Sequence, residues 1–409
     1  MTRKLFSTAL LWLICSILVF FCFLIVASAQ ELKPRPAHVG IIYPLSTNGT
    51  EAPECSNRFS LHLLSGVSRN ETAFCLSGIS GVVRQNAQGL MLSGITNIVG
   101  DKARGAQVAG ILNLARKATE GAAIAGIVNI TADMRGAQVA GFANIVRDAE
   151  GAQVAGFINK ARTADAQVAG FANLAQRSDA VQIAGFVNVS AQGAGSQVAG
   201  FANLAGKTQG VQVAGFGNLS RSDAGSQVAG LINIARKVKG VQVAGLINIA
   251  EESDYPIGLI NIIKNGERQI GASIDESGVS MLTFRSGGRY LYGILGAGYN
   301  FKEDNARYAL EGGIGFHIPL ARYFRANVEM TAGALSDLKH NVYYKSGLRV
   351  LAAYKVANRI EFFAGPSINN LSYERDQDDI RDHYLWQHKG RNSINGIYIG
   401  GIAGIQVNL

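Results

Sequence analysis

Gln138-Val139-Ala140-Gly141-Phe142-Ala143-Asn144-Ile145-Val146-Arg147-Asp148-Ala149-Glu150-Gly151 is one copy of a phrase that recurs from Gly94 to Asn261. Its fixed mark is a glycine followed three residues later by an asparagine. The asparagines are Asn97, Asn113, Asn129, Asn144, Asn159, Asn173, Asn188, Asn203, Asn218, Asn233, Asn248 and Asn261, spaced by 13 to 16 residues and mostly by 15. In nine copies, from Gln107 to Gln242, a glutamine precedes the glycine by three residues. A short fixed period marks a repeat architecture, in which no unit buries its own apolar face and each must stack on its neighbours.

Within a copy, β-formers and small residues lead into a polar stretch ending in glycine, as a strand leads into a turn. No proline lies between Pro53 and Pro256, so every backbone N–H in the repeats is free to join a ladder. A helix is excluded because apolar residues do not recur at three-and-four spacing and each copy carries a central glycine. The sequence therefore predicts an all-β chain whose repeats, 73–266, form a β-solenoid with one 15-residue coil per copy. Val, Ile, Leu and Phe are expected to fill the interior. The stacked Asn and Gln are expected to run as amide ladders along the axis, and the glycine to mark a corner. The alternative is one strand per repeat in a large antiparallel meander or barrel. Connectors alike in length and charge from copy to copy favour the solenoid, since large barrels alternate short and long connections. The first unit keeps the glycine at Gly78 but has lost both amides, as a terminal cap would.

After Asn261 the repeats stop, and 267–409 reads as eight strands: 269–274, 279–285, 289–301, 307–318, 324–334, 346–356, 359–371 and 396–409. Phe324, Ala326, Val328, Met330 and Ala332 fall on one face, and Arg325, Asn327, Glu329 and Thr331 on the other. Short turns at 287–288, 320–322 and 357–358 alternate with longer loops, including 336–345 and 372–395. This is the pattern of an outer-membrane-type β-barrel. Glu311, His317, Arg325, Glu329, Arg349, Lys355 and Glu361 are expected inside it as a charge-paired plug. A soluble barrel or sandwich is the alternative. An even strand number puts both barrel ends on one side, where the repeats would project.

Arg3 and Lys4 precede an apolar run, 5–26, that ends in Ala27-Ser28-Ala29. This describes a secretory signal peptide, 1–29, ahead of a pre-repeat segment, 30–72. Processing removes two of the four cysteines and leaves Cys55 and Cys75, a possible disulfide in an exported chain. The signal holds two of the precursor's +9 charges, so the exported chain stays basic, with its charges scattered through turns. Outer-membrane lipid is the expected partner, with an envelope component or polysaccharide as a further one. No nucleic-acid module is visible.

No Walker loop, His-Glu-X-X-His or Gly-X-Ser-X-Gly motif occurs. Gly293, Gly296 and Gly298 imitate a nucleotide fingerprint inside a strand with no following helix. No catalytic residue and no cofactor are assigned, and the chain is read as a non-enzyme. No metal site is assigned; the residues that would serve a divalent ion are Asp378, Asp379, Asp382, His383 and His388 in one polar loop. The Asn-X-Ser/Thr triplets at Asn129, Asn188 and Asn218 belong to the repeat and do not indicate glycosylation.

The run Gly240-Val241-Gln242-Val243-Ala244-Gly245-Leu246-Ile247-Asn248-Ile249-Ala250 resembles the repeats of a bacterial family of exported surface repeat-containing proteins. The lead-in Tyr43–Gly49 with Asn57–Leu61, and the exit Pro256–Asn261 with Lys264-Asn265-Gly266, resemble that family too. The resemblance implies a cell-envelope location and carries no activity. The chain departs from the common outer-membrane pattern in ending on Leu409 rather than an aromatic residue. The sequence thus points to an exported outer-membrane scaffold of a Gram-negative bacterium with a structural, adhesion or binding role. An outer-membrane pore made by one large barrel, and a polysaccharide-acting enzyme, are the rival readings.

Overall fold

A computed structural model describes residues 33–381 and 383–409. The signal segment 1–29 and Asp382 lie outside the described residues. The chain is all-β, a solenoid of about 14 coils of about 15 residues followed by a closed eight-stranded antiparallel barrel. It divides into two compact units, Met1–Arg162 and Thr163–Leu409.

In the first unit successive coils pair in parallel and in register. Asn129 lies between Asn113 and Asn144, and Gly136 between Gly121 and Gly151. A meander with one strand per repeat would need antiparallel pairs, so the solenoid is the architecture adopted. The stack already includes the segment read as pre-repeat: Lys33–Ile42 pairs in parallel with the strand Cys55–Ser68. The column of repeat glutamines runs back from Gln107 through Met91, Cys75 and Ser60 to His38. The asparagine column runs back from Asn97 to Gly81 and Gly66.

The apolar interior expected of the repeats is not what forms. In the coil 143–157 the inward side chains are Asn144, Val146, Ala149, Gln153 and Ala155, all buried. Phe142, Ile145, Val154 and Phe157 point outward and are 41–50% exposed. So short a three-sided coil encloses a cross-section that methyl groups and amides fill at protein packing density, with no room for rings. Burying amides costs little when each finds a partner, and here each coil presents the next with the same amide at the same place.

The second unit begins with further coils built the same way: Asn188 lies between Asn173 and Asn203. A Cβ placed on the corner Gly200 would stand 2.1 Å from the carbonyl oxygen of Gly185, so the corner column admits glycine alone. Each coil has two sides whose outward residues are mostly Val, Ile, Leu and Phe, meeting at this corner. The third side, after the asparagine and before the glutamine, carries the charges. Copies that depart from 15 residues absorb the difference there, as at Thr131/Asp133, Ala164/Ala166 and Val238/Val241, and the last copy drops a second residue at the corner before Ile260.

The barrel strands are β1 (Glu267–Asp275), β2 (Val279–Gly287), β3 (Leu291–Asn300), β4 (Tyr308–Ala321), β5 (Phe324–Ser336), β6 (Val342–Lys355), β7 (Ile360–Glu374) and β8 (Ser393–Asn408). Each pairs antiparallel with the next, and β8 closes on β1 with Val407 opposite Ile270. All eight strands correspond to those read in the sequence. The last coil docks on the outer wall of the barrel. Asn261 donates its main-chain N–H to Ser286 Oγ at 2.9 Å, and a Cβ on Gly293 would stand 2.0 Å from the Gly258 oxygen. Ser286 and Gly293 face outward in β2 and β3, so the wall is smooth where the coil meets it.

Candidate functional site

The repeat asparagines form the ladder that their spacing predicts. Asn188 Nδ2 lies 2.9 Å from Asn203 Oδ1 and 2.7 Å from the Val198 carbonyl, while its own oxygen accepts from Asn173 at 2.9 Å. Donation runs toward the C-terminus, from Asn97 to Asn159 in the first unit and from Asn173 to Asn261 in the second. The glutamine ladder donates the other way: Gln197 Nε2 to Gln182 Oε1 at 2.7 Å, and Gln212 to Gln197 at 2.8 Å. It breaks where the sequence does. Gln138 stands beside Ala123 and Gln242 beside Pro256; Gln138 Nε2 and Gln242 Oε1 are buried without a partner. These amides are sealed from solvent and carry structure rather than chemistry.

The first coils replace the amides with a different buried cluster. His62 Nε2 and His38 Nδ1 are 3.1 Å apart, and Asn57 Nδ2 reaches Glu71 Oε1 at 3.1 Å. Ser60 donates to the same carboxylate at 2.7 Å, and His38 Nε2 meets Ser46 Oγ at 2.9 Å. Burial holds the His38 imidazole below its ordinary range and pushes His62 down to about 4, with His38 adding to the effect on His62. Burial raises the Glu71 carboxyl despite its hydrogen bonds from Ser60 and Asn57. Register between neighbouring coils brings these groups together, and nothing in the sequence distinguishes them from solvated polar residues.

Cys55 and Cys75 are both buried free thiols, which corrects the expected disulfide. Cys75 lies beside Ser60, five positions along the strand from Cys55, whereas a bridge needs Cα atoms about 4.4–6.8 Å apart. Burial pushes the Cys75 thiol up to about 12.

Inside the barrel, the expected charge-paired plug is present and larger than its sequence reading. Arg325 makes paired bonds to Glu361 at 2.8 and 2.7 Å, and Arg349 bonds Glu311 at 2.9 Å. Glu329 is 0% exposed and accepts from Arg285 at 2.8 Å and Tyr292 Oη at 3.0 Å. His317 meets Asn327 at 2.8 Å. Arg285, Tyr292, Glu267 and the pair Lys345–Asp275, at 2.7 Å, join these and were not singled out in the sequence. A cavity of about 30 Å³ between Asp275, Glu311, Lys345 and Arg349 has room for a water or two, not for a solute.

The loop 375–392 folds over one mouth of the barrel. Arg381 stacks 3.7 Å from the Tyr398 ring and donates to Ser277 at 2.9 Å. Its acidic residues serve that closure: Asp379 accepts from Tyr384 at 2.6 Å and Gln387 at 3.2 Å, and Asp378 from Asn305 at 3.1 Å. His388 stacks on Trp386. Among the described residues no group of three or more His, Cys, Asp or Glu is placed to hold a metal; Asp378, Asp379, His383 and His388 do not converge.

The barrel's outer face is its most distinctive surface. Leu310, Met330 and Ile399 are 68%, 60% and 59% exposed, while the ion pairs lie inside. Aromatic residues ring both ends of this apolar band. Tyr308, Tyr344 and Trp386 lie toward the long loops, and Phe316, Tyr323, Tyr354 and Phe362 toward the short turns. No known protein family, characterised protein or solved structure matches this chain.

Proposed function

We propose that the chain is an exported cell-envelope protein whose barrel spans the outer membrane of a Gram-negative bacterium and anchors the solenoid as a structural or binding scaffold. The carrying observation is the outer face of the barrel. A domain in water covers its large apolar side chains, whereas this one exposes a band of them between two aromatic rings and keeps its ion pairs inside, beside small apolar clusters, as suits a strand-built membrane span. The resemblance of the repeats to exported surface proteins, and the signal-like residues 1–29, support the same location. An envelope component or a polysaccharide is the partner class proposed for the scaffold.

The small charge-filled interior favours an anchor over a pore, because eight strands leave space for side chains alone. Cell fractionation with detergent extraction tests the location: the protein should stay in the outer-membrane fraction after high-salt and carbonate washing. Recovery in the wash would overturn the reading. In planar bilayers the barrel should pass almost no current.

A further inference from the structure

The coils of the second unit present an amphipathic surface. In the second unit the corner residues Phe171, Phe186, Phe201 and Phe216 stack with ring centroids 4.8–5.0 Å apart, and Leu231 and Leu246 continue the ridge at 39% and 46% exposure. The ridge spacing is that of the strands themselves. On the two sides flanking it stand Val198, Val213 and Val228, and Leu204 and Ile262, all 37–43% exposed. The third side carries Arg177, Arg221, Arg236 and Lys237, with Asp223 and Glu252 as ion-pair partners of the last two. A soluble rod has no reason to expose an unbroken aromatic ridge of this kind.

The docking of the last coil fixes how this surface sits against the barrel. Asn261 directs its main-chain N–H, which lies along the stacking axis, at Ser286 on the outer wall. The coils therefore leave the barrel sideways. The corner residue Leu259 rests on Gly312 of β4, midway between Tyr308 and Phe316, with 3.2 Å left for a Cβ there. The charged side lies lower, where the Ser253 carbonyl abuts Gly288 in the short turn after β2. Tyr255, Tyr290 and Phe316 form one aromatic run from coil to wall, with centroids 5.9 and 6.2 Å apart. The apolar surface of the coils is thus continuous with the apolar band of the barrel, and its ridge points toward the middle of that band.

We infer that the coils of the second unit lie in the plane of the bilayer, with the Phe/Leu ridge sunk into the acyl chains of one leaflet and the charged side in water. The occupant of the apolar surface is lipid, and the solenoid is a membrane-surface element rather than a free projection. The position of the bilayer rests on the barrel spanning it; the insertion of the ridge does not follow from that reading alone.

The test uses the exported chain, residues 30–409, refolded into dioleoylphosphatidylcholine vesicles, with Trp386→Phe removing the native tryptophan it contains. Single reporters are then introduced as Phe201→Trp or Phe186→Trp on the ridge, Arg221→Trp on the charged side and Val350→Trp on the barrel wall. In brominated lipid the ridge and wall reporters should each lose about half or more of their emission, as expected for side chains about 5–10 Å into the headgroup–acyl boundary. The Arg221→Trp reporter should be little changed. Quenching at Val350→Trp with none at either ridge position would overturn the inference and leave the membrane anchor standing. A doubled mass by light scattering in that case would assign the ridge to a second copy of the chain. Loss of quenching at Val350→Trp as well would remove the anchor itself.

Discussion

Asn261 ends the asparagine ladder on the barrel: its side-chain amide donates to the Ser286 carbonyl at 3.0 Å, while its main-chain N–H meets the Ser286 hydroxyl at 2.9 Å. A ladder that donates in one direction must close on an acceptor, and Ser286 supplies both an acceptor and a match for the last unpaired strand edge. Ser286→Val removes the hydroxyl acceptor from a buried N–H. It should destabilise the junction by about 1–3 kcal/mol, read as earlier proteolysis between the repeats and the barrel. Unchanged cleavage kinetics would count against a coupled junction.

Within the stack, Asn188→Ala strands the Asn173 amide and leaves Asn203 without its donor. The expected cost is about 1–3 kcal/mol for each buried group left unsatisfied. Arg177, exposed and paired with Asp179, should cost less than about 0.5 kcal/mol when replaced by alanine. Denaturant melts of the full chain compare the two, and equal effects would remove the ladder as a source of stability.

Ala123→Gln fills the one gap in the glutamine column between Gln107 and Gln138. It gives the unpartnered Gln138 Nε2 an acceptor and should raise stability by about 1 kcal/mol. A rise in melting midpoint checks it; a fall would mean that the interior beside Ala123 cannot hold the longer side chain.

The cluster at His38 and His62 gives the first coils a pH dependence. For a base whose folded pKa lies below its unfolded value, the unfolded chain binds more protons between the two, so stability rises with pH. Stability contributed by neutral His62 is present above about pH 6.5 and is lost as pH falls toward about 4. Glu71, raised by burial, acts oppositely: its neutral form in the folded state favours folding as acid is added. His62→Gln should therefore flatten the fall in stability from pH 6.5 to 4, measured by hydrogen exchange of the coils around it. An unaltered slope would exclude His62 as its source.

In the barrel, Glu329→Ala leaves Arg285 buried at 2% exposure with no carboxylate opposite. Breaking such a pair from one side costs about 3–5 kcal/mol. The folded form in detergent should lose its heat-resistant mobility on gels at a lower temperature, and an unshifted transition would argue that water replaces the carboxylate.

The period of the repeats and the strand alternation of 267–409 were legible because both depend on spacing alone. Which parity of the repeat faces inward was not. Asn144, Gln153 and Ala155 alternate with Ile145 and Val154, and that alternation fits either orientation; burial of apolar groups suggests the wrong one. The narrow cross-section decides it, and a single copy does not display its cross-section. In the barrel the charged parity was read correctly from Arg325, Asn327 and Glu329. Arg285 escaped notice because it closes a strand whose other inward residues, Met281 and Thr283, are uncharged. The cluster of His38, Asn57, His62 and Glu71 is assembled by register between coils, which no local pattern reports.

The irregular copies inside the array put their extra or missing residue on the charged side, and only the last coil, where it meets the barrel, also drops a residue at the corner. The array can therefore gain or lose whole coils without altering either the ladders or the seat of Asn261 on Ser286. Relatives of this chain, or duplicated and deleted forms of it, should differ in length by steps of about fifteen residues, with the barrel and its junction constant. Length is then an adjustable property of the molecule, set by counting identical parts.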